Sequence, residues 1–212
     1  MKYGAIIVAA GCSSRVGSFK PLLPLGTNTI IRRVVRLIDT VADEIVVVTG
    51  YRGEDLECHL HGTGVRAVRN VKYRETGMFD SIGLGIRALS RSCQRIFIIP
   101  GDIPLVRPKT LEKLRETSAA VVRPLCHGKS GHPILLSSGC IIPLLSDSGE
   151  GGLRGGITRM NLPVLDVETG DPGILMDADT PEDYQRLVAY LDSLPADFNR
   201  VEALSHSRKV AY

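Results

Sequence analysis

Nine residues near the start, Lys2 to Ala10, form a nearly unbroken apolar run that stops at Gly11 and opens into CSSRVGSFK. Such a run reads as a parallel strand buried on both faces, and a parallel strand requires a crossover and further strands beside it. The segment beyond it holds Ser13, Ser14, Arg15, Gly17 and Lys20. Glycines let main-chain N–H groups converge on an anion and the cations neutralise it, so this is a polyanion cradle, with a flexible surface turn as the alternative. It is not a P-loop, because Gly11 and Gly17 enclose five residues and Ser18-Phe19 follows where Lys and a hydroxyl residue are needed. The dinucleotide glycine pattern is absent as well.

The rest of the chain keeps alternating. A helix capped at Asn28 or Thr29 runs to about Val41, with Ile30, Ile31, Val34, Val35, Ile38 and Val41 inward and Arg32, Arg33 and Arg36 on the wet face. Strands follow at Glu44–Thr49, Val65–Val68, Arg95–Pro100, Ala119–Val122, Pro133–Leu136 and Leu162–Val167, and helices at Arg52–His61 and from Pro108. Gly77 to Ser90 reads as a helix whose early Gly83 and Gly85 suggest a ligand packed against its backbone. Eight glycines between Gly128 and Gly156 read as loops over a site. Thr180, Pro181 and Asp183 mark the start of a last helix. This order predicts a three-layer α/β/α sandwich with a mostly parallel sheet. We expect one domain over 1–192, with a glycine-rich insertion around 126–160, and a polar tail over 193–212.

Composition removes several classes of function. A formal charge of +3 with no basic run beyond Arg32-Arg33 and Arg208-Lys209 gives no footing for nucleic acid. No segment reaches the roughly 18 apolar residues of a membrane span, and the first apolar run is at the short limit for a secretory signal. Five scattered cysteines without a CxxC pair suit a reducing cytoplasm rather than a disulfide scaffold or a zinc site. Cys12, beside cationic groups, is either a reactive thiol or the filling of a turn. His127 and His132 lack partners for zinc, and His132 reads equally as a structural residue or a substrate contact.

Four pieces are expected to meet at the carboxyl edge of the sheet: the 11–20 loop, the 77–85 segment, Asp102, and Asp177 or Asp179. A cradle with a lysine and two acids is what a nucleoside triphosphate with Mg²⁺ requires, since Mg²⁺ takes carboxylate and phosphate oxygens and keeps waters. Arg15 and Lys20 suit stabilisation of charge on a transferring phosphoryl group.

The residues also resemble a family. VAAGCSSRVGSFKPLLPLG, from Val8 to Gly26, is similar to the LAAGxSxRxGxxKxLLPxxG signature of the MobA-like nucleotidyltransferases, particularly the molybdenum cofactor cytidylyltransferases. The similarity continues through Thr49–Arg52 (TGYR), the stretch from Asn70 to Gly85 with GMFDSIGLG, Gly101–Val106 (GDIPLV), Gly131–Leu136 (GHPILL), the GEGG of Gly149–Gly152, and Asp177–Asp183 (DADTPED). It implies a Rossmann-like fold of the nucleotide-diphospho-sugar transferase type. It further implies a phosphate-binding loop of Ala10, Gly11, Cys12, Ser13, Ser14 and Arg15, with Lys20 on the phosphates. Asp102 and Asp179, or less favourably Asp177, would hold Mg²⁺. Thr49, Arg52, Ser81 and Gly83 would line the base and sugar region, and Gly131, His132 and Gly151 the pterin half of the acceptor. The implied reaction moves CMP from CTP to molybdenum-loaded molybdopterin, with a guanylyl transfer from GTP or another small phosphorylated acceptor as alternatives. Passing the product on implies transient contact with a recipient molybdoenzyme or its chaperone. The chain departs from the pattern at Gly17-Ser18-Phe19, at Ile103, where the cytidylyltransferases usually show glutamine, and at Glu150, where aspartate is commoner; the last two bear on the acceptor pocket.

Overall fold

The computed structural model describes residues 1–11, 19–195 and 198. Its centre is an eight-stranded sheet built on β1 (Tyr3–Ala9), β4 (Glu44–Thr49) and β6 (Arg95–Pro100). Outward from these lie β5 (Arg66–Arg69) beside β4 and β9 (Ile134–Ser137) beside β6, then β7 (Val121–Cys126) and β10 (Val164–Glu168). The short β8 (Lys129–Ser130) folds back on β7, and β2 (Pro24–Leu25) pairs with β3 (Asn28–Thr29) in a separate hairpin. In the main run only β9 is antiparallel to its neighbours.

The continuous apolar character of β1 is explained by its two faces. Ala5, Ile7 and Ala9 pack into one core with α1 (Ile30–Asp39), α2 (Gly53–His59) and α4 (Pro108–Arg115). Ile6 and Val8 pack into the other with α3 (Met78–Ala88), α5 (Ile141–Leu145) and α6 (Gly152–Arg159). The expected three layers are therefore present. A third cluster joins Leu25 and Ile30 to Leu187 and Leu191 of the last helix, α7 (Pro181–Ser193). No helix among the described residues is long and apolar enough to cross a membrane.

Several local expectations are corrected. Arg33, expected in solvent, is fully buried, and its Nε donates to the Leu25 carbonyl at 2.7 Å. The β2–β3 hairpin and α7 cover that side of α1, and a Cβ on Gly26 would touch both Arg33 and Leu191. Thr29 precedes α1 but does not cap it; its hydroxyl lies 2.8 Å from Nε2 of His59. The glycine-rich middle is not only loop, since it supplies β8, α5 and α6. Gly85 is explained by packing rather than by a ligand: a Cβ there would stand 2.5 Å from Ile6 Cγ2 and 3.1 Å from Val48 Cγ2. The tail beyond 193 lies almost wholly outside the described residues.

Thr180 and Asp183 behave as the sequence indicates. The Thr180 hydroxyl accepts from the Asp183 N–H at 3.1 Å, and the Asp183 carboxylate accepts from the Thr180 N–H at 2.9 Å. This reciprocal cap is worth about 1 kcal/mol and fixes where α7 begins.

Candidate active site

The carboxyl ends of β1 and β6 lie side by side, with Val8 in register with Pro100, and the Gly101 N–H donates to the Val8 carbonyl at 2.8 Å. Side chains at such an edge are held by the sheet while the loops beyond it stay open to a ligand. Asp102, one residue further, reaches a cavity of about 210 Å³ that is also lined by Gly11, Lys20, Met78, Pro100 and Asp179. Lys20 arrives from a single 3-10 turn over Lys20–Leu22 and Asp179 from the segment before α7. Their side chains meet, Lys20 Nζ standing 2.6 Å from Asp179 Oδ1. Lys20 is only 9% exposed, so its ammonium is held rather than mobile.

The electrostatics of this cavity are those of crowded acids around one cation. Burial raises the Asp102 carboxyl above the usual carboxylate range; Lys20 opposes the rise, and the negative charges of Asp177 and Asp179 add to it. Asp177 influences Asp102 but does not line the cavity, facing a smaller one with Asp183 and Arg186 instead. Among the described residues no three His, Cys, Asp or Glu side chains converge to hold a metal by themselves. Mg²⁺ needs no such cage, because one or two carboxylates, waters and substrate phosphates complete its shell. Asp102 and Asp179 on one cavity fit that role, and the raised Asp102 carboxyl is the behaviour of a group that a cation would relieve.

A second, larger cavity of about 620 Å³ adjoins the first and shares Val8, Met78 and Pro100 with it. It is lined by Gly131, His132 and Gly151, together with Ser130, Arg123 and Arg154. Gly131 is forced to be glycine by the backbone opposite, since a Cβ would lie 2.3 Å from the Ile174 carbonyl oxygen. The His132 N–H donates to that same carbonyl at 3.0 Å, and the peptide between His132 and Pro133 is cis. Burial lowers the His132 imidazole below its usual range, so the ring is neutral at pH 7. Gly151, immediately before α6, has φ of +69°, a conformation that glycine adopts at little cost.

The other residues expected at the site make contacts within the chain. Thr49 is fully buried and its hydroxyl donates to Glu57 Oε1 at 2.7 Å. The Arg52 guanidinium lies over the Phe19 ring at 5.1 Å and donates to Asp55 at 2.6 Å. Ser81 is buried beneath Asn70, whose side-chain amide donates to both Ser81 Oγ and Thr76 Oγ1. Gly83 faces a further groove on α3, away from the Lys20–Asp102 cavity. Ala10 is buried and its carbonyl accepts from the Tyr51 N–H. Cys12, Ser13, Ser14 and Arg15 lie outside the described residues.

Two residues at the site were not singled out by the sequence. Met78, 54% exposed, stands where the two cavities join. Arg154 makes no side-chain hydrogen bond or ion pair among the described residues, whereas Arg123 in the same cavity is held by both oxygens of Asp166. Both occur within glycine-containing motifs, GMFDS and GGLRGG, but nothing local distinguishes them from surface residues.

Residues 5–163 match the model of the MobA-like NTP transferase domain. The chain is 30% identical over 183 residues to the molybdenum cofactor cytidylyltransferase of Escherichia coli K12, covering 84% of this chain and 92% of that protein. It is 34% identical over 121 residues to the bifunctional protein GlmU of Francisella tularensis subsp. novicida, spanning 56% of this chain but only 26% of GlmU. Among solved structures, a nucleotidyl transferase from Methanothermobacter thermautotroptrophicus superposes with a TM-score of 0.78 at 26% identity, over 91% of this chain and 99% of that one.

Proposed function

The chain belongs to the MobA-like NTP transferase family and is a nucleotidyltransferase, and we propose that it transfers CMP from CTP to the terminal phosphate of molybdenum-loaded molybdopterin. The observation that carries this reading is the pair of joined cavities. One holds Lys20, Asp102 and Asp179 and suits the triphosphate; the other, roomier one holds Gly131, His132 and Gly151 and suits an extended acceptor. Support for CTP and the pterin comes from the Escherichia coli relative and from the motifs shared with the cytidylyltransferases.

In this reading an oxygen of the acceptor phosphate forms a bond to the α-phosphorus of CTP. The bond from that phosphorus to the oxygen bridging to the β-phosphate breaks, and its electron pair leaves with pyrophosphate. Lys20 serves the phosphates: an ammonium has three donors, and the pairing with Asp179 leaves two for phosphate oxygens. Arg15 is assigned to the same task. Asp102 and Asp179 would hold Mg²⁺, which when bound supplies neutralisation of phosphate charge. His132, neutral and tied to Ile174 through its backbone, would shape the acceptor pocket without titrating near pH 7. No covalent enzyme intermediate is required, only positioning and electrostatics.

Pyrophosphate release measured with CTP, GTP, ATP and UTP, each with and without molybdenum-loaded molybdopterin, tests the proposal. The expected result is turnover with CTP that depends on the acceptor. Equal turnover with GTP would move the assignment to guanylyl transfer, and preference for a sugar or alcohol phosphate as acceptor would remove the pterin altogether.

A further inference from the structure

Helix α3 has a second open side. A groove of about 350 Å³ runs across it, floored by Phe79, Gly83, Leu144 and Leu145 and edged by Lys72 and Arg87. It shares no lining residue with the Lys20–Asp102 cavity and only Ile82 with the larger one, so α3 stands between this groove and the site described above. The volume is within the range of small-molecule sites.

The polar groups around it fall into two sets. Arg69 is held by Glu54 at 3.0 Å and Glu57 at 2.7 Å. Asp147 is held by Arg159 and by the Gly149 N–H, which together bring its carboxyl down to about 2. The Asp80 carboxylate accepts from the Gly77 N–H at 2.9 Å. Lys72 and Arg87, in contrast, make no side-chain hydrogen bond or ion pair among the described residues. The side-chain cations of the groove left without a partner among the described residues are thus Lys72 and Arg87, and they edge an apolar floor. Val71, 78% exposed, extends that apolar surface at the rim.

We propose that this groove binds a small anion with an apolar ring system, such as an aromatic carboxylate, sulfonate or phosphate, at a site separate from both the nucleotide and its acceptor. The ring lies on Phe79, Leu144 and Leu145, and the acidic group meets Lys72 and Arg87. Both cations belong to elements joined by Asn70, which donates to Thr76 and Ser81 and so ties the 70–77 segment to the start of α3. Occupancy therefore braces the segment that presents Met78 to the reacting cavities.

The test uses ¹⁵N-labelled protein titrated with 1-anilinonaphthalene-8-sulfonate and with the uncharged N-phenyl-1-naphthylamine, which has a similar apolar body. The sulfonate is expected to shift the amides of Gly83, Arg87 and Ser148 with one-to-one saturation, leaving Gly131 and Gly151 in place. The neutral dye is expected to bind at least tenfold more weakly. Combined Lys72→Ala and Arg87→Gln, both on exposed side chains, is expected to lower sulfonate affinity at least tenfold while the unfolding midpoint stays unchanged. Saturating CTP is expected not to displace the sulfonate. Absence of binding, shifts confined to Gly131 and Gly151, undiminished affinity in the double variant, or displacement by CTP would each overturn the proposal. None of these outcomes depends on which nucleotide or acceptor the enzyme uses.

Discussion

Gly83 and Gly85 lie two residues apart in α3, and replacing each with alanine should move stability in opposite directions. In a helix interior alanine is favoured over glycine by about 1 kcal/mol, and this gain applies to both sites. At Gly83 the added Cβ would meet the end of the flexible Arg87 side chain at 3.1 Å, which can shift, and Leu145 Cδ2 at an ordinary contact distance of 3.7 Å. Gly83→Ala is therefore expected to stabilise by about 0.5–1 kcal/mol. At Gly85 the Cβ would stand 2.5 Å from Ile6 Cγ2, and Ile6 is fully buried on the central strand. Overpacking of a fixed core costs about 1–3 kcal/mol, and with no free side-chain end to yield the upper part of that range applies. After the helix gain, Gly85→Ala is left about 1–2 kcal/mol less stable. At about 2–4 °C per kcal/mol for a chain of this size, Tm should rise by about 1–4 °C for the first variant and fall by about 2–8 °C for the second. Thermal unfolding followed by circular dichroism, with urea midpoints alongside, reads both. If Gly85→Ala proves as stable as the parent, close packing of α3 on β1 is not why glycine stands there.

Three further outcomes follow from single groups. Asp171 is fully buried and accepts from the Arg107 N–H, the Thr110 hydroxyl and the Gly173 N–H at 2.7–3.0 Å. Asp171→Ala strands those donors and should cost about 3 kcal/mol or more, read as a lower urea midpoint, with Asp171→Asn recovering part. Burial lowers the imidazoles of His59 and His132, and Arg32 lowers His59 further. The unfolded chain then takes up protons first, so their contribution is present above about pH 6.5 and is lost as pH falls through the lower folded values. His59→Gln should flatten the decline of stability between pH 7 and pH 5, and an unchanged slope would count against this assignment. Lys20→Ala should lower pyrophosphate release roughly 10²–10³-fold, the usual effect of removing a group that stabilises developing charge; unaltered turnover would remove Lys20 from the reaction.

What the sequence makes legible is what its neighbours decide locally. β1, β4 and β6 are unbroken apolar runs because each is covered on both faces, and α7 announces its start through Thr180, Pro181 and Asp183. Arg33 is hidden from such a reading. The periodicity of α1 marks its inner face, but the elements that bury the opposite side are the 24–29 hairpin and a helix some 150 residues later. Asp171 sits in a Gly-Asp-Pro turn, and only the folded chain brings Arg107 and Thr110 to its carboxylate. Gly85 carries no local signal of its partner on β1, so a glycine in a helix invites the wrong explanation. In α6 three glycines depress helix propensity below what pattern reading detects, and tertiary packing of Ile157 restores it.

The joining of the two cavities depends on the one strand that runs against the others. β1 and β6 deliver Gly11 and Asp102 from their carboxyl ends, the rule for parallel sheets. A parallel β9 would place the residues before it, Gly131 and His132, at the opposite edge, a full strand length away. Because β9 is antiparallel, its amino end lies beside the carboxyl end of β6, with Ile134 in register with Ile98. The cavity of Gly131 and His132 thus meets the cavity of Lys20 and Asp102 across Pro100 and Val8. Apolar patterning cannot show this, since Ile134, Leu135 and Leu136 read the same in either direction. Strand polarity, set by the short connection from β7 through β8, thus brings a second, larger cavity against the one that holds Lys20, Asp102 and Asp179.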